Sequence, residues 1–117
     1  MRGQAFQDAS HNYAAYALYY RGLFYAWVKE WGRAREDLDM AIDKAEDNYL
    51  SFFYARAVVM ANLHNYKQAI NDVSLALSID EEDPECYVLR ARCLQIEGDA
   101  NQAFADLQAF IGTLDGS

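Results

Sequence analysis

Proline occurs once in this 117-residue sequence and glycine six times, so no flexible linker divides it, and one domain around one core is expected. Cysteine is almost as scarce. Cys86 and Cys93 stand seven apart in what reads as a helix, which separates them by roughly 10 Å along the axis, too far for a disulfide. Reduced thiols in a cytosol-like compartment follow, and a cytoplasmic location is the expectation. Basic residues are in deficit, ten against eighteen acidic, and the net charge of −8 opposes the phosphate neutralisation that drives nucleic-acid binding. Nucleic acid and anionic membrane are set aside as partners. No apolar run approaches the roughly 18 residues needed to cross a bilayer, and Met1-Arg2-Gly3-Gln4 lacks the apolar stretch of a secretory signal, so no membrane insertion is expected. Both ends, Met1-Arg2-Gly3 and Asp115-Gly116-Ser117, read as frayed or as expression-derived additions.

What is abundant is apolar surface. Hydrophobic residues make up 53% of the chain, with nine Tyr, six Phe and two Trp, which leaves no compositional case for disorder. These residues are ordered by a repeat. Anchoring on Ala34, Ala69 and Ala103 gives spacings of 35 and 34 residues; thirteen residues upstream of each stands Arg21, Arg56 or Arg90, and three downstream stands Asp37, Asp72 or Asp106. Around these markers the apolar positions recur at helical spacing: Leu18, Gly22, Tyr25; Phe53, Ala57, Met60; Tyr87, Ala91, Leu94 in three first helices, and Ala34, Leu38, Ala41; Ala69, Val73, Ala76; Ala103, Leu107, Phe110 in three second helices. Small residues among them allow close helix approach. Asp83-Pro84-Glu85 sets a cap acceptor, a first-turn proline and a first-turn acid in the preferred order, and Asp47 or Asn48 is expected to cap the first helix of the second unit. Six helices are predicted, near 13–30, 33–46, 49–62, 66–79, 84–97 and 100–112, with turns near Glu30 to Gly32, His64-Asn65 and Gly98-Asp99.

Taken in register, Gly22, Tyr25, Trp31 and Ala34, then Phe53, Ala57, Tyr66, Ala69 and Ala76, then Pro84, Tyr87, Ala91, Gly98 and Ala103 make the chain resemble the tetratricopeptide repeat (TPR) family. The resemblance implies an all-α fold, a right-handed α-α superhelix of three antiparallel helix hairpins, with repeats near 15–48, 50–83 and 84–117 and residues 1–14 as an arm that could extend the first helix. It departs from the family pattern at Ala100, where an aromatic is usual, and at Phe110, where a small residue is usual. Phe6, Ala9, Tyr13, Tyr16 and Tyr20 could continue one stripe into the arm, and Phe6 could fold back over the first unit.

The thrice-repeated Arg and Asp, sixteen apart, read as structural ion pairs that fix hairpin register: Arg21 with Asp37, Arg56 with Asp72, Arg90 with Asp106. His11, His64, Cys86 and Cys93 have no partner at metal-ligand spacing, and the thiols read as soft packing residues. The acidic run Asp80-Glu81-Glu82-Asp83 reads as a solvated loop that supplies a helix cap. No phosphate loop and no nucleophile or zinc motif is present, so neither cofactor, metal nor catalysis is expected.

Function then falls to the concave wall that stacked hairpins present. The resemblance puts Tyr16, Tyr19, Tyr20, Leu23 and Trp27, then Tyr54, Val58 and Asn62, then Val88, Leu89, Arg92 and Ile96 on that wall, where they imply a partner-binding groove for an apolar peptide or amphipathic helix. Heat-shock co-chaperones of the family grip an acidic carboxylate terminus with Lys, Asn and Arg; the corresponding positions here are Tyr19, Leu23, Ala55, Glu85 and Leu89, so the clamp is missing. The expectation is a protein-binding adaptor or scaffold module. The alternative is a self-assembling unit or excised stretch of a longer solenoid, suggested by Phe104, Leu107, Phe110 and Ile111 with no capping helix after them. A chaperone for an apolar client, like the type III secretion chaperones with three such repeats, is a lesser alternative that rests on fold likeness alone.

Overall fold

The computed structural model describes residues 2–114, with side chains from Asn12 onward. Its six helices are α1 (Arg2–Trp27), α2 (Trp31–Lys44), α3 (Leu50–Asn62), α4 (Tyr66–Ile79), α5 (Pro84–Glu97) and α6 (Ala100–Leu114). Each helix packs on its chain neighbours, and among the described residues α1 also touches α3 and α3 touches α5, whereas α2, α4 and α6 do not touch one another. The stack therefore bends toward its first helices. A slab 50 × 34 × 19 Å results, two helix layers thick, with α1, α3 and α5 forming the inner layer.

Small residues set the spacing within each hairpin. A Cβ added at Gly22 would stand 3.1 Å from Leu38 Cγ and 3.3 Å from Asp37 Cβ, so α1 and α2 meet closely enough that a methyl there would make its neighbours give by a few tenths of an ångström. One repeat on, Ala57 and Ala91 occupy the same place and are almost wholly buried. Between hairpins the back of each first helix packs on the preceding second helix: Ala55 and Val59 on Ala34 and Leu38, Phe52 on Ala41, and Cys86 and Cys93 in one cluster with Ala69, Val73 and Ala76.

Three turns close the hairpins in one geometry, each built on a residue with left-handed φ: Lys29 (φ 64°), His64 (φ 62°) and Gly98 (φ 92°). In each, that residue's N–H donates to the carbonyl three back and the next N–H to the carbonyl five back, as in Lys29 to Ala26 at 3.0 Å and Glu30 to Tyr25 at 2.8 Å. This moves the first turn to Val28–Glu30, ahead of the expected Glu30–Gly32, because the Lys29 conformation ends α1 at Trp27. Asn65, Asp83 and Asp99 cap the following helices through their side chains, accepting from the N–H groups of Gln68, Cys86 and Gln102 at 3.3, 3.1 and 3.2 Å. The expected cap from Asp47 or Asn48 does not form: Tyr49 holds the cap position of α3 with no side-chain bond, its ring being engaged with Tyr16 and Phe52.

Across each hairpin seam an arginine grips a buried aspartate with two hydrogen bonds. Arg21 Nε and Nη2 reach Asp37 at 2.8 Å each, Arg56 reaches Asp72 at 2.9 Å twice, and Arg90 reaches Asp106 at 2.8 Å twice. Gln68 and Gln102, one turn before their aspartates, add a bond at 3.2 and 3.1 Å. The free Nη1 of Arg56 and of Arg90 crosses to the hairpin before it, to Asp39 Oδ1 at 3.1 Å and Ser74 Oγ at 3.2 Å.

Two outcomes follow from this architecture. Lys29→Gly is expected to raise stability by about 1 kcal/mol, since only glycine occupies left-handed φ without steric cost, and Gly98→Ala to lower it by about as much; chemical denaturation with opposite signs would refute the turn geometry. A double-mutant cycle on Arg56 and Asp72 is expected to show a coupling of roughly 1–3 kcal/mol, with a smaller one for the more exposed Arg21 and Asp37. Additive effects at Arg56 and Asp72 would mean the pair does not set the register.

Candidate functional site

The inner layer is hollowed along its length, and Tyr54 on α3 is the side chain common to three adjoining cavities. The first, about 400 Å³, lies between α1 and α3 and is floored by Tyr19, Leu23, Ala26, Tyr54, Ala55 and Val58, with Asp83 and Glu85 on its rim. The second, about 520 Å³, lies between α3 and α5; Val58, Ala61, Leu89 and Ile96 form its apolar part and Asn62, His64, Tyr66 and Arg92 its polar end. A third of about 290 Å³ joins Tyr54 to Glu85, Val88, Leu89, Arg92 and Phe110. Together they form one groove across all three hairpins, apolar in the middle, acidic at one rim and with Arg92 at the other end. Burial, then Glu85 nearby, raises the Tyr54 phenol above its ordinary range, so it enters any contact as a neutral hydroxyl.

Of the residues expected on the wall, the structure brings Tyr19, Leu23, Tyr54, Val58, Asn62, Val88, Leu89, Arg92 and Ile96 to these cavities. It takes three elsewhere. Tyr16 lies between Tyr49 and Phe52, ring centroids 5.5 and 6.1 Å away, and its nearby hydroxyl pushes the Tyr49 pKa up to about 12. Tyr20 stands edge-on to Tyr19, and Trp27 is 80% exposed at the end of α1; neither lines any of the three cavities. Tyr19 itself is stacked on Phe52 at 4.5 Å, so the groove floor is preorganised on that side. Asp83, His64, Tyr66 and Phe110 line the groove without having been expected there. Glu85 was legible as a groove position, and Asp83, two residues before it and turned inward by its bond to the Cys86 N–H, was the nearest signal for the acidic rim.

Burial, reinforced by Asp83, pushes the Cys86 thiol up to about 12, and burial also raises Cys93, so neither is a thiolate near neutral pH. His64 is exposed, with Nδ1 2.9 Å from the Tyr66 hydroxyl. Among the described residues no three His, Cys, Asp or Glu side chains gather as a metal site, and no helix is long and apolar enough to cross a membrane. The side chain of His11 lies outside those described, as does that of Phe6.

Three stacked hairpins bent around a groove of this kind define a TPR solenoid, and the chain has that fold. Its backbone matches the TPR domain of Arabidopsis OM64 with a TM-score of 0.84 at 20% identity, over 92% of this chain and 88% of that one. The second TPR of Spaghetti (RPAP3), solved with the HSP90 peptide SRMEEVD, matches at 0.81 and 20% identity over 87% and 94% of the two chains. PcrH, solved with the chaperone-binding region of PopB, matches at 0.81 and 17% over 88% and 82%. No protein-family model matches the sequence, and no curated protein matches it either.

Cys86 and Cys93 offer a check on the seam behind the groove. Both are expected to stay unmodified by a disulfide-exchange reagent at pH 7 and to react together on unfolding; rapid modification of the folded chain would mean that the α4–α5 seam opens.

Proposed function

We propose that this chain is a non-enzymatic protein-interaction module, an adaptor or scaffold element, that holds an apolar peptide or an amphipathic helix of a partner protein in its concave groove. The observation that carries this reading is the continuous apolar floor from Tyr19 and Leu23 through Tyr54 and Val58 to Leu89 and Ile96. Cavities of about 300–1,000 Å³ lined by apolar side chains with a few polar groups are what binding sites look like. Two solved structures of this fold carry peptide-sized partners, an HSP90 peptide on RPAP3 and a PopB region on PcrH, which supports a polypeptide occupant here as well. The interacting domain spans about residues 15–117, with residues 1–14 as an arm on its first helix. A reducing cytoplasmic setting suits the two free thiols.

The electrostatics argue against an acidic tail as the occupant. Glu85 and Asp83 stand on the rim where a carboxylate would approach, the apolar Tyr19, Leu23 and Ala55 share that cavity, and the whole chain carries −8. An apolar segment flanked by Lys or Arg fits better, its cation meeting Glu85 and its apolar side chains meeting Tyr54 and Val58.

The test is a peptide library panned on the immobilised chain, with the selected peptides titrated against Tyr54→Ala/Leu89→Ala. A loss of at least about tenfold is expected, because a buried aromatic anchor and its neighbour carry most of such a contact. Selected peptides should be apolar and neutral or basic, and SRMEEVD should not bind measurably. Unchanged affinity in a folded double variant would overturn the groove assignment.

A further inference from the structure

The seam between hairpins occurs twice among the described residues, and α1 and α6 each expose apolar side chains at the positions that such a seam covers. On the side of the second helices, Leu38 and Val73 are fully buried by the next first helix, while Leu107, the same position one repeat on, is 43% exposed. Ile111 repeats Leu77 and is 56% exposed where Leu77 is 7%. On the side of the first helices, Val59 and Cys93 are 1% exposed against the preceding hairpin, while Phe24, 35 residues before Val59, is 56% exposed. We infer that α1 of one copy packs on α6 of another as α3 packs on α2 and α5 on α4, so that the chain associates head to tail with itself.

Three details make the two ends fit each other and no arbitrary apolar partner. The first is size. At the first seam Phe52 packs on Ala41, while the second has Cys86 with Ala76; at the ends the large and small partners of the first seam are exchanged, Ala17 standing at the Phe52 position and Phe110, which also borders the groove, at the Ala41 position. The second is a hollow. Val59 and Cys93 meet Ala34, Leu38 and Ala69, Val73. The matching spot on the last hairpin is an open hollow of about 240 Å³ lined by Ala91, Ala100, Ala103, Phe104 and Leu107, with Arg92 and Gln95 beside them, and Phe24 is the side chain that would enter it. A cavity of about 150 Å³ already accepts benzene, so a phenyl ring has room.

The third is the arginine ladder. Arg56 uses its free Nη1 on Asp39 and Arg90 uses its own on Ser74, both on the preceding hairpin. Arg21 meets no preceding hairpin among the described residues, and its side chain is 59% exposed against 17% and 19% for the other two. The residue that continues Asp39 and Ser74 by one repeat is Gln108, exposed on α6, whose amide oxygen can accept from Arg21 of the next copy. Because α1 and α6 are different surfaces, the contact is heterologous, and it leaves one free end of each kind after every addition. The products are open chains of copies that lengthen with concentration. Each copy carries −8, so salt that screens the repulsion should favour assembly.

Sedimentation velocity or light scattering across a dilution series reaching the millimolar range tests this. The average mass is expected to rise past that of two chains, and to rise further with added salt. Phe24→Glu and Ile111→Glu, both at exposed positions that line none of the groove cavities, are each expected to run as one chain, with circular dichroism to show that both keep their helices. Mixed in equal amounts they are expected to form a complex of two chains and nothing larger, since each retains the face the other has lost. Should Phe24→Glu fail to fold, Tyr20→Lys alters the same face. A single-chain mass for the unaltered protein at all concentrations would overturn the inference. So would a dimer abolished by one variant and untouched by the other, which marks a two-fold contact or a different occupant of that face. Either result leaves the groove reading standing, because peptide titration reads other residues.

Discussion

A carboxylate with no access to water must be paired, and this chain buries three of them, Asp37, Asp72 and Asp106, at successive hairpin seams. Each is held by a guanidinium on the opposite helix through two bonds, so only one sliding register of the hairpin satisfies it. Register then fixes which small residues meet: Gly22 stands against Leu38, with Ala57 and Ala91 in the same place one and two repeats on. In the second and third repeats the same arginine extends to the hairpin behind, which ties stacking to hairpin geometry through one side chain. Net stabilisation from such pairs is modest after desolvation. Their larger consequence is that all three repeats are forced into one shape, and a repeated shape is what yields a regular groove and a regular pair of end faces.

Most of this was legible in the sequence because repetition amplifies weak signals. No single alanine or arginine identifies a helix hairpin, but Ala34, Ala69 and Ala103 with their arginines and aspartates at constant offsets do, and the six helices fall within a few residues of where that register puts them. The features that did not show are those that depend on one conformation rather than on a pattern. Nothing in Lys29 or His64 marks a left-handed residue; the turn bonds around them impose it, and only Gly98 advertises it. Tyr49 displaced Asp47 and Asn48 as the residue capping α3 because its ring had aromatic partners in Tyr16 and Phe52, a tertiary contact that local cap preferences do not contain. Gln68 and Gln102, one turn ahead of their aspartates, could have been read from the i, i+4 spacing, and were hidden only because the first repeat has Arg33 there.

The aromatic richness of the first unit has two physical origins. Tyr16 and Tyr19 close a cluster with Tyr49 and Phe52, filling the α1–α3 contact where the next repeat keeps Tyr54 but has the smaller Ser51, Asp83 and Cys86. Tyr20 and Phe24 belong to the outer end of the solenoid, where the deeper repeats have Ala55 and Val59 or Leu89 and Cys93 facing a neighbour. If this face packs on a second copy as inferred above, large rigid rings suit it, because they bury more area per immobilised torsion than alanine or cysteine can. Positions that the family resemblance assigns to the groove thus divide by neighbour, Tyr19 and Leu23 opening to the cavity and Tyr20 and Trp27 turning out of it.

Groove and end faces adjoin at Arg92 and Phe110 but are otherwise built from different residues, and their combined use would have a quantitative consequence. If the groove holds a partner as proposed, one groove built on Tyr54 and one acidic rim would offer a few anchor contacts, which corresponds to modest affinity. A head-to-tail row would set identical grooves side by side, and a partner bearing the same apolar segment more than once would meet the second groove at the effective concentration fixed by its own spacing, with no new contact needed. Occupancy would then bias assembly, since a bridging partner binds adjacent copies and not separated ones, and by linkage assembly would tighten the binding of that partner by the same factor. A partner with a single segment would have no such effect, which makes the valency of the occupant, more than its affinity, the quantity that couples the two surfaces.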